Sequence, residues 1–313
     1  MGNRKRLIFA VFTLVILLLS GSGSSYNYFE RDKSVPLVTF IFDDGNDTDY
    51  IVAKDIFDAH GDVACSAITT NWINTKNHLN VPQLTELQND GWEILSHTVS
   101  HPNLKTLPES QVETELAQSK ATLEGLGLTV KNLAYPYNKN NYTIREVTKK
   151  YYRAGRSGHN MLNPPTILDQ YDLKAYSNKH PLSKLKGHVD KAYSEKKWLI
   201  LYHHRIDAKV EISDKNGSFM SGETLTFKPS GATGKYISDK NIVAYGSAMH
   251  FVPVSGTPQA NDIITGQSSG AACNLDKVDY NQKEALIEML EYIHTKYPDM
   301  RIVTIDKGLD IYL

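Results

Sequence analysis

Short apolar runs alternate with stretches of helical spacing along most of the chain. Residues 37–42 (Leu-Val-Thr-Phe-Ile-Phe) are apolar and partly β-branched, which predicts a buried strand. Ile51, Val52, Ile56 and Phe57 then fall at helical spacing, and residues 63–69 predict a second strand. Residues 81–90 read as a helix stopped by Gly91, with a third strand at 92–95. Pro108 suits the first turn of a helix whose face carries Val112, Leu116, Leu123 and Leu126. Residues 133–135, 152–154 and 198–202 are further strand candidates. Ala285, Leu286, Met289, Leu290 and Ile293 make a helical stripe, followed by a last strand at 301–305. Repeated strand–helix units imply a parallel sheet. About seven strands over this length favour closure into an α/β barrel over an open sheet.

Two stretches break the pattern. Residues 211–274 carry no helical stripe and are rich in Gly, Ser and Thr, with turn formers at Asn216-Gly217, Ser221-Gly222, Ser230-Gly231 and Ser255-Gly256. Sixty residues without structure are rare inside a compact domain, so this stretch is expected to be an inserted antiparallel β module. At the N-terminus, Asn3-Arg-Lys-Arg6 precedes thirteen apolar or near-apolar residues (7–19) and a Ser/Gly-rich tail ending at Ser25. A basic start, a short apolar stretch and small residues read as a secretory signal. Thirteen residues are short for a membrane span, which wants about 20. Residues 1–25 are therefore expected to be a signal peptide or an uncleaved membrane anchor, and the working domain to lie outside the cytoplasm.

Composition narrows the function classes. The 313-residue chain has 34 basic and 35 acidic residues, a balance that argues against nucleic acid as a partner. Its two cysteines, Cys65 and Cys273, exclude a disulfide scaffold or a Cys-rich zinc module. They are free to pair in an oxidising compartment, but Cys65 lies in an apolar run, and two separate buried thiols are an equal expectation.

Candidate chemistry gathers at three strand ends. Asp43-Asp44-Gly45 follows the first strand. Adjacent carboxylates are costly to desolvate together unless one binds a cation or is protonated, so the natural division is one Asp on a metal and the other as base. His97 and His101 follow the third strand, four residues apart. Two such His residues and one carboxylate make a set suited to a catalytic zinc with an open position. His203 and His204 end the strand at 198–202, and a His there suits a general acid.

Taken together, Thr39-Phe-Ile-Phe-Asp-Asp-Gly45, His97-x-x-x-His101-Pro102, Ala134-Tyr-Pro-Tyr137 and the late His204 resemble the motifs of the polysaccharide deacetylase family, the NodB-homology domains of carbohydrate esterase family four. The resemblance covers residues 36–210 and 275–313, with 211–274 outside the usual domain. It implies a distorted (β/α)7 barrel and a divalent cation, most often Zn2+, that serves to remove acetyl groups from an N-acetylated glycan. It assigns Asp44, His97 and His101 to the metal, Asp43 to the general base that deprotonates the attacking water, the Tyr137 backbone N–H to the oxyanion, and His204 to protonation of the departing amine. Family members often carry an Arg two residues before the motif Pro; here that position is Ala134, and Arg156 is a candidate substitute. Leu201-Tyr-His203 fits the late motif literally, but His204 with Arg205 and Ile206 fits related members better. Side chains 203 and 204 point opposite ways on a strand, so only one can serve.

Other readings share these residues. An amidase or O-acetyl esterase would use the same centre, and a non-catalytic glycan-binding surface protein would need none of it. Tyr236, Tyr245 and Phe251 of the inserted module are candidates for a sugar platform or for its core. Asn46, Asn141 and Asn216 head glycosylation sequons.

Overall fold

A computed structural model describes residues 34–166, 168–242 and 246–313. The N-terminal signal or anchor and Tyr245 lie outside the described residues. In chain order the first body comprises β1 (Leu37–Phe42), α1 (Asp55–His60), β2 (Cys65–Ile68), α2 (Val81–Asn89), β3 (Glu93–Ser96), α3 (Glu109–Gly125) and β4 (Asn132–Ala134). It continues with α4 (Tyr142–Tyr151), β5 (Ala154–His159), β6 (Leu173–Ser177), α5 (Leu182–Glu195) and β7 (Trp198–His203). These seven strands are parallel and adjacent in sequence order, and β7 pairs back onto β1 along its whole length, from Leu37 opposite Trp198 to Phe42 opposite His203. The result is the expected seven-stranded α/β barrel.

The membership of the barrel differs from the sequence expectation. β6, Leu-Lys-Ala-Tyr-Ser, lacks a continuous apolar run, yet it completes the ring between β5 and β7. The expected last strand shrinks to β14 (Arg301–Ile302), which lies beside the start of β1, and Ile305 instead opens a terminal helix. Thr304 causes the switch, because its hydroxyl accepts the Lys307 N–H as an N-cap. β5 begins only at Ala154 and runs through Gly155, Arg156, Ser157 and Gly158, a sequence with no apolar signature. Gly155 is required there: a Cβ would lie 2.4 Å from the Tyr135 hydroxyl oxygen.

Small and large apolar side chains share the barrel interior, among them Ile41, Ala67, Leu95, Ala134, Ala154, Ala175 and Ile200. The terminal helix closes one end through Ile305, Leu309 and Tyr312, which belong to the same cluster as Trp198. The Trp198 indole N–H donates to Thr39 Oγ1 (2.9 Å), which donates to the Val303 carbonyl (2.6 Å). With that end sealed by apolar packing, polar side chains are concentrated at the carboxyl ends of the strands, the rim where parallel barrels carry their chemistry.

Between β7 and the last helical layer the chain makes a second barrel: β8 (Ala208–Asn216), β9 (Thr224–Lys228), β10 (Thr233–Ile242), β11 (Gly246–Ser255), β12 (Ile263–Gly266) and β13 (Ala272–Asn281). All six strands pair antiparallel and close in the order β10-β11-β8-β13-β12-β9. The segment 211–274 lies within it. Its interior is a separate apolar cluster built from Val210, Leu225, Phe227, Met249, Phe251 and Ile264. Val252, with Ile237 and Val254, packs into the outer layer of the first barrel, so the two bodies share an apolar seam. Asn281 then caps α6 (Gln282–Lys296), and α7 (Ile305–Tyr312) is the closing plug. Among the described residues no helix is long and apolar enough to cross a membrane.

Candidate active site

The chain leaves β1 through a turn that no extended strand could make. Asp44 and Gly45 both have positive φ, 79° and 66°. For Asp44 this left-handed geometry costs on the order of 1–2 kcal/mol. It separates two carboxylates that a continuing strand would have alternated. Asp43 is buried; its N–H donates to the His203 carbonyl (2.9 Å), and its own carbonyl accepts from the Asn46 side chain (3.0 Å). Asp44 turns toward the two His residues after β3.

His97 is buried, and its Nδ1 lies 2.7 Å from the Ala134 carbonyl. That bond requires the proton on Nδ1 and leaves Nε2 with its lone pair free, the arrangement by which a ligating His is usually oriented. His101 adopts φ of 58°, held by its N–H donating to Thr98 Oγ1 (3.1 Å). The loop between them is anchored by Glu115 of α3, which accepts the N–H groups of Val99 (2.8 Å) and Ser100 (3.0 Å) and the Ser100 hydroxyl (2.6 Å). Both Nε2 atoms then face Asp44 Oδ1, at 3.5 Å from His97 and 3.4 Å from His101. One ligand atom from each of the three residues lies within 4.8 Å of the others. Burial raises the Asp44 carboxyl, but the adjacent His97 imidazole, with His204 and His101 behind it, brings it below its ordinary value. Burial also lowers His101, and His97 adds to the effect.

This donor set fits a divalent cation. Asp44 Oδ1 is buried without a hydrogen-bond partner, an expensive state for a carboxylate oxygen unless a cation meets it. Two neutral imidazoles and one carboxylate are the ligand types of catalytic zinc sites, and they leave further coordination positions open.

Arg156, almost wholly buried, donates through Nη2 to Asp43 Oδ1 and through Nη1 to Asn138 Oδ1. Its guanidinium also lies over the Tyr202 ring, 5.1 Å from the centroid. β4 and β5 pair Ala134 directly with Arg156. The cation thus comes from the strand beside the position where the family pattern often places its Arg. Tyr137 and Asn138 both adopt left-handed backbone, φ 56° and 58°, in the turn after Pro136. The Tyr137 ring is 57% exposed and packs on His101, with centroids 4.7 Å apart.

The two late His residues part company. On β7, Trp198 and Ile200 face the barrel interior and Tyr202 packs against the same cluster, whereas Leu199 and Leu201 belong to the outer layer. His203 follows the outer parity, wedged against Phe40 and Phe42, with ring centroids 5.9 and 5.1 Å away, and burial drives it down to about 3. A ring held neutral in that setting is a poor proton donor. His204 follows the inner parity, close enough to Asp44 and His101 to shift both, and its buried Nδ1 has no partner.

With this geometry in view, comparison with known proteins is informative. Residues 30–154 match the polysaccharide deacetylase family model. The resemblance carried by the sequence motifs is borne out over that segment, which holds Asp43, Asp44, His97, His101 and Tyr137 and ends just before Arg156. A curated relative from Bacillus subtilis (strain 168), named "Putative polysaccharide deacetylase YxkH", is 28% identical over 130 residues, 40% of this chain. The match spans 46% of that relative's length. Among solved structures, the chain is similar to the Xyl-CE4 domain of a multidomain xylanase from the hindgut metagenome of Trinervitermes trinervoides. That likeness is 12% identical, covers 88% of this chain and 90% of that chain, and has a TM-score of 0.48. It is also similar to the Streptococcus pyogenes deacetylase PplD in complex with acetate, at 24% identity, 44% of this chain, 62% of that chain and a TM-score of 0.42.

The rim therefore gathers all seven residues singled out from the sequence: Asp43, Asp44, His97, His101, Tyr137, Arg156 and His204. Sequence reasoning missed Asn138, Tyr202, Glu115 and Trp72, whose ring packs on His101 with centroids 5.3 Å apart. Asn138 directly follows the motif Tyr137, and an Asn after an exposed turn residue was a usable signal; the others depend on contacts remote in sequence. Phe251 lies in the second barrel's core, 5.0 Å from Phe227, and forms no surface platform, whereas Tyr236 is half-buried and packs on Phe219 at 5.4 Å. Cys65 and Cys273 are separate buried thiols. Two sequon asparagines are already engaged, Asn46 at the Asp43 carbonyl and Asn141 as the cap of α4.

Proposed function

We propose that this protein is an exported, metal-dependent hydrolase that removes acetyl groups from an N-acetylated polysaccharide or oligosaccharide. The observation that carries the reading is the Asp44–His97–His101 cluster, with its orphaned carboxylate oxygen, beside a second buried carboxylate held by Arg156. Asp44, His97 and His101 are the residues to hold a divalent cation, and their donor types suit Zn2+. Such a cation supplies Lewis acidity at the acetyl carbonyl and makes water more acidic.

The chain's own groups supply the rest. Asp43, kept in place by Arg156 and Asn46, takes the proton from the attacking water. Arg156 is a positioning residue: its planar fork ties Asp43 to Asn138 and allows the carboxylate one orientation. The Tyr137 N–H donates to the oxygen that becomes negative as the carbonyl is attacked, an interaction worth about 3–4 kcal/mol in comparable sites. His204 delivers a proton to the amine as the C–N bond breaks. Export rests on the N-terminal sequence alone, through a cleaved signal or a tether formed by residues 7–19.

The test is metal content together with acetate release. Residues 26–313 are purified, bound metal is quantified, and N-acetylglucosamine oligomers are assayed with and without a chelator. About one equivalent of metal per chain and chelator-sensitive acetate release are expected. Bound metal without acetate release would redirect the assignment to other acyl or amide substrates. Failure to bind metal after reconstitution would overturn it.

A further inference from the structure

The two His residues of the cluster are held by different means. The His97 N–H donates to the Ile68 carbonyl (2.8 Å) and its Nδ1 to the Ala134 carbonyl (2.7 Å), so β2 and β4 fix both its backbone and its ring. His101 stands four residues further on, outside the sheet, at the end of a loop of unusual shape. Thr98 and His101 have φ of 70° and 58°, and left-handed backbone is a rare state for a β-branched residue such as Thr98. A loop of this kind persists only where its surroundings over-determine it.

Those surroundings act from two sides. The carbonyls of Thr98 and Val99 accept the N–H groups of Thr70 (3.1 Å) and Asn71 (3.0 Å), just beyond β2. The loop's own N–H groups go to side-chain oxygens. Thr98 donates to Ser96 Oγ (3.3 Å) and His101 to Thr98 Oγ1 (3.1 Å), both within the segment itself. Val99 (2.8 Å) and Ser100 (3.0 Å) donate instead to Glu115 Oε2, and the Ser100 hydroxyl to Glu115 Oε1 (2.6 Å), so this acceptor comes from another element, α3. One turn further along α3, the Ser119 hydroxyl is hydrogen-bonded to that of Ser96 (2.8 Å), the last residue of β3. Residues four apart share a helix face, so successive turns of α3 grip the strand end and the loop it feeds.

We infer that Glu115 is a positioning residue for His101: by taking the N–H groups of Val99 and Ser100 it holds the loop in the shape that brings His101 Nε2 to Asp44, and so sets the affinity of the centre for a divalent cation. The inference rests on the assignment of Asp44, His97 and His101 to a metal and is independent of which acyl group is removed. Its effect is selective. His97 keeps its two strand carbonyls when the Glu115 carboxylate is lost, whereas the loop that carries His101 loses three hydrogen bonds at once. Partners behind a ligand orient it in this way and raise affinity without touching the ion.

The experiment measures the Zn2+ dissociation constant, by competition with a chromophoric chelator, in wild type, Glu115→Ala, Glu115→Gln and Glu113→Gln. Glu113 lies on the same helix but pairs with Lys150 and Tyr151, and serves as the control. Urea midpoints show which variants are folded at the temperature of the assay, and Glu115→Gln, which keeps one acceptor oxygen, carries the test if Glu115→Ala does not fold. Glu115→Ala should weaken Zn2+ binding by about 10–100-fold, Glu115→Gln by less, and Glu113→Gln should match wild type. The visible spectrum of Co2+ bound at saturation should differ between Glu115→Ala and wild type, because the ligand geometry has changed. In a His101→Ala background, Glu115→Gln should alter affinity by less than about twofold, since the ligand it positions is gone. Unchanged affinity in the folded Glu115 variants would overturn the inference while leaving the metal assignment standing, as would an equal loss in the His101→Ala background. A wild type that binds no Zn2+ would overturn both.

Discussion

Two buried carboxylates of the antiparallel barrel and two at the rim of the parallel barrel are held in opposite ways. In the antiparallel barrel, Glu223 accepts three backbone N–H groups and the Ser269 hydroxyl, and Asp262 accepts the N–H groups of Ser230 and Gln259. Their oxygens are occupied, and each ties turns together. At the rim of the parallel barrel, Asp44 presents a buried oxygen without a partner and Asp43 is held by a single guanidinium and left otherwise available. The backbone accounts for the difference. Consecutive strands joined by tight turns present N–H groups that a carboxylate can saturate, whereas parallel strands spend theirs in the sheet and leave side chains at the rim to face one another.

The strongest way to break this contrast is to remove the poised carboxylates. Asp44→Ala should abolish stoichiometric metal binding and acetate release. Asp43→Asn should retain metal, measured by elemental analysis, while kcat falls by roughly 10²–10⁴. Near-normal turnover in Asp43→Asn would remove it from the role of base. Next in size is the His pair. His204→Ala should lower kcat by about 10²-fold or more on glycan, and His203→Phe, on the outer parity beside Phe40 and Phe42, should stay within a few-fold of wild type. The reverse ranking would sink the assignment by strand parity.

A third test uses Glu93, at the opposite end of the parallel barrel. Its carboxylate accepts from the Asn132 side chain (2.6 Å) and the Asp306 N–H (2.8 Å), and Cys65 Sγ lies 3.8 Å away. Burial dominates and pushes it from 4.5 up to about 7. A folded value above the unfolded one means the folded state holds the proton more tightly. The associated stability is full below pH 4.5 and is lost as the pH rises through about 7. Urea denaturation should therefore show wild-type stability falling by about 3 kcal/mol across that window, and Glu93→Gln should flatten the profile. An unchanged profile in Glu93→Gln would show that its burial is relieved in solution. The smallest effect is expected at Glu223. Glu223→Gln should lower stability by about 2 kcal/mol and leave acetate release intact, because its partners Met220, Ser268 and Ser269 all belong to the second barrel.

Much of the first barrel is readable along the chain. The apolar run of β1 ends at Asp43-Asp44, and β3 ends just before His97. The polar residues follow because a buried strand stops where it meets the rim. β5 and β6 were poorly legible because Ala-Gly-Arg-Ser-Gly and Leu-Lys-Ala-Tyr-Ser carry no run of apolar residues. They are strands because neighbours on both sides satisfy their backbones. Arg156 was visible only as a candidate, since its relation to Asp43 depends on the register that pairs Ala134 with Arg156. Trp72 and Glu115 gave no local sign, as their roles depend on the fold of the loop from His97 to His101.

By itself, then, the sequence determined which chemical groups exist and at which strand ends they fall. Hydrophobic periodicity and residue type are local properties, and local physics reads them. Tertiary structure decided which of those groups meet. The closing of β7 onto β1 brings His204 to Asp44 and sends His203 the other way. The β4–β5 register carries Arg156 to Asp43, and the left-handed turns at Asp44 and His101 aim both residues at one point. Each depends on pairing between segments distant in the chain, where a shift of one residue reverses every side chain.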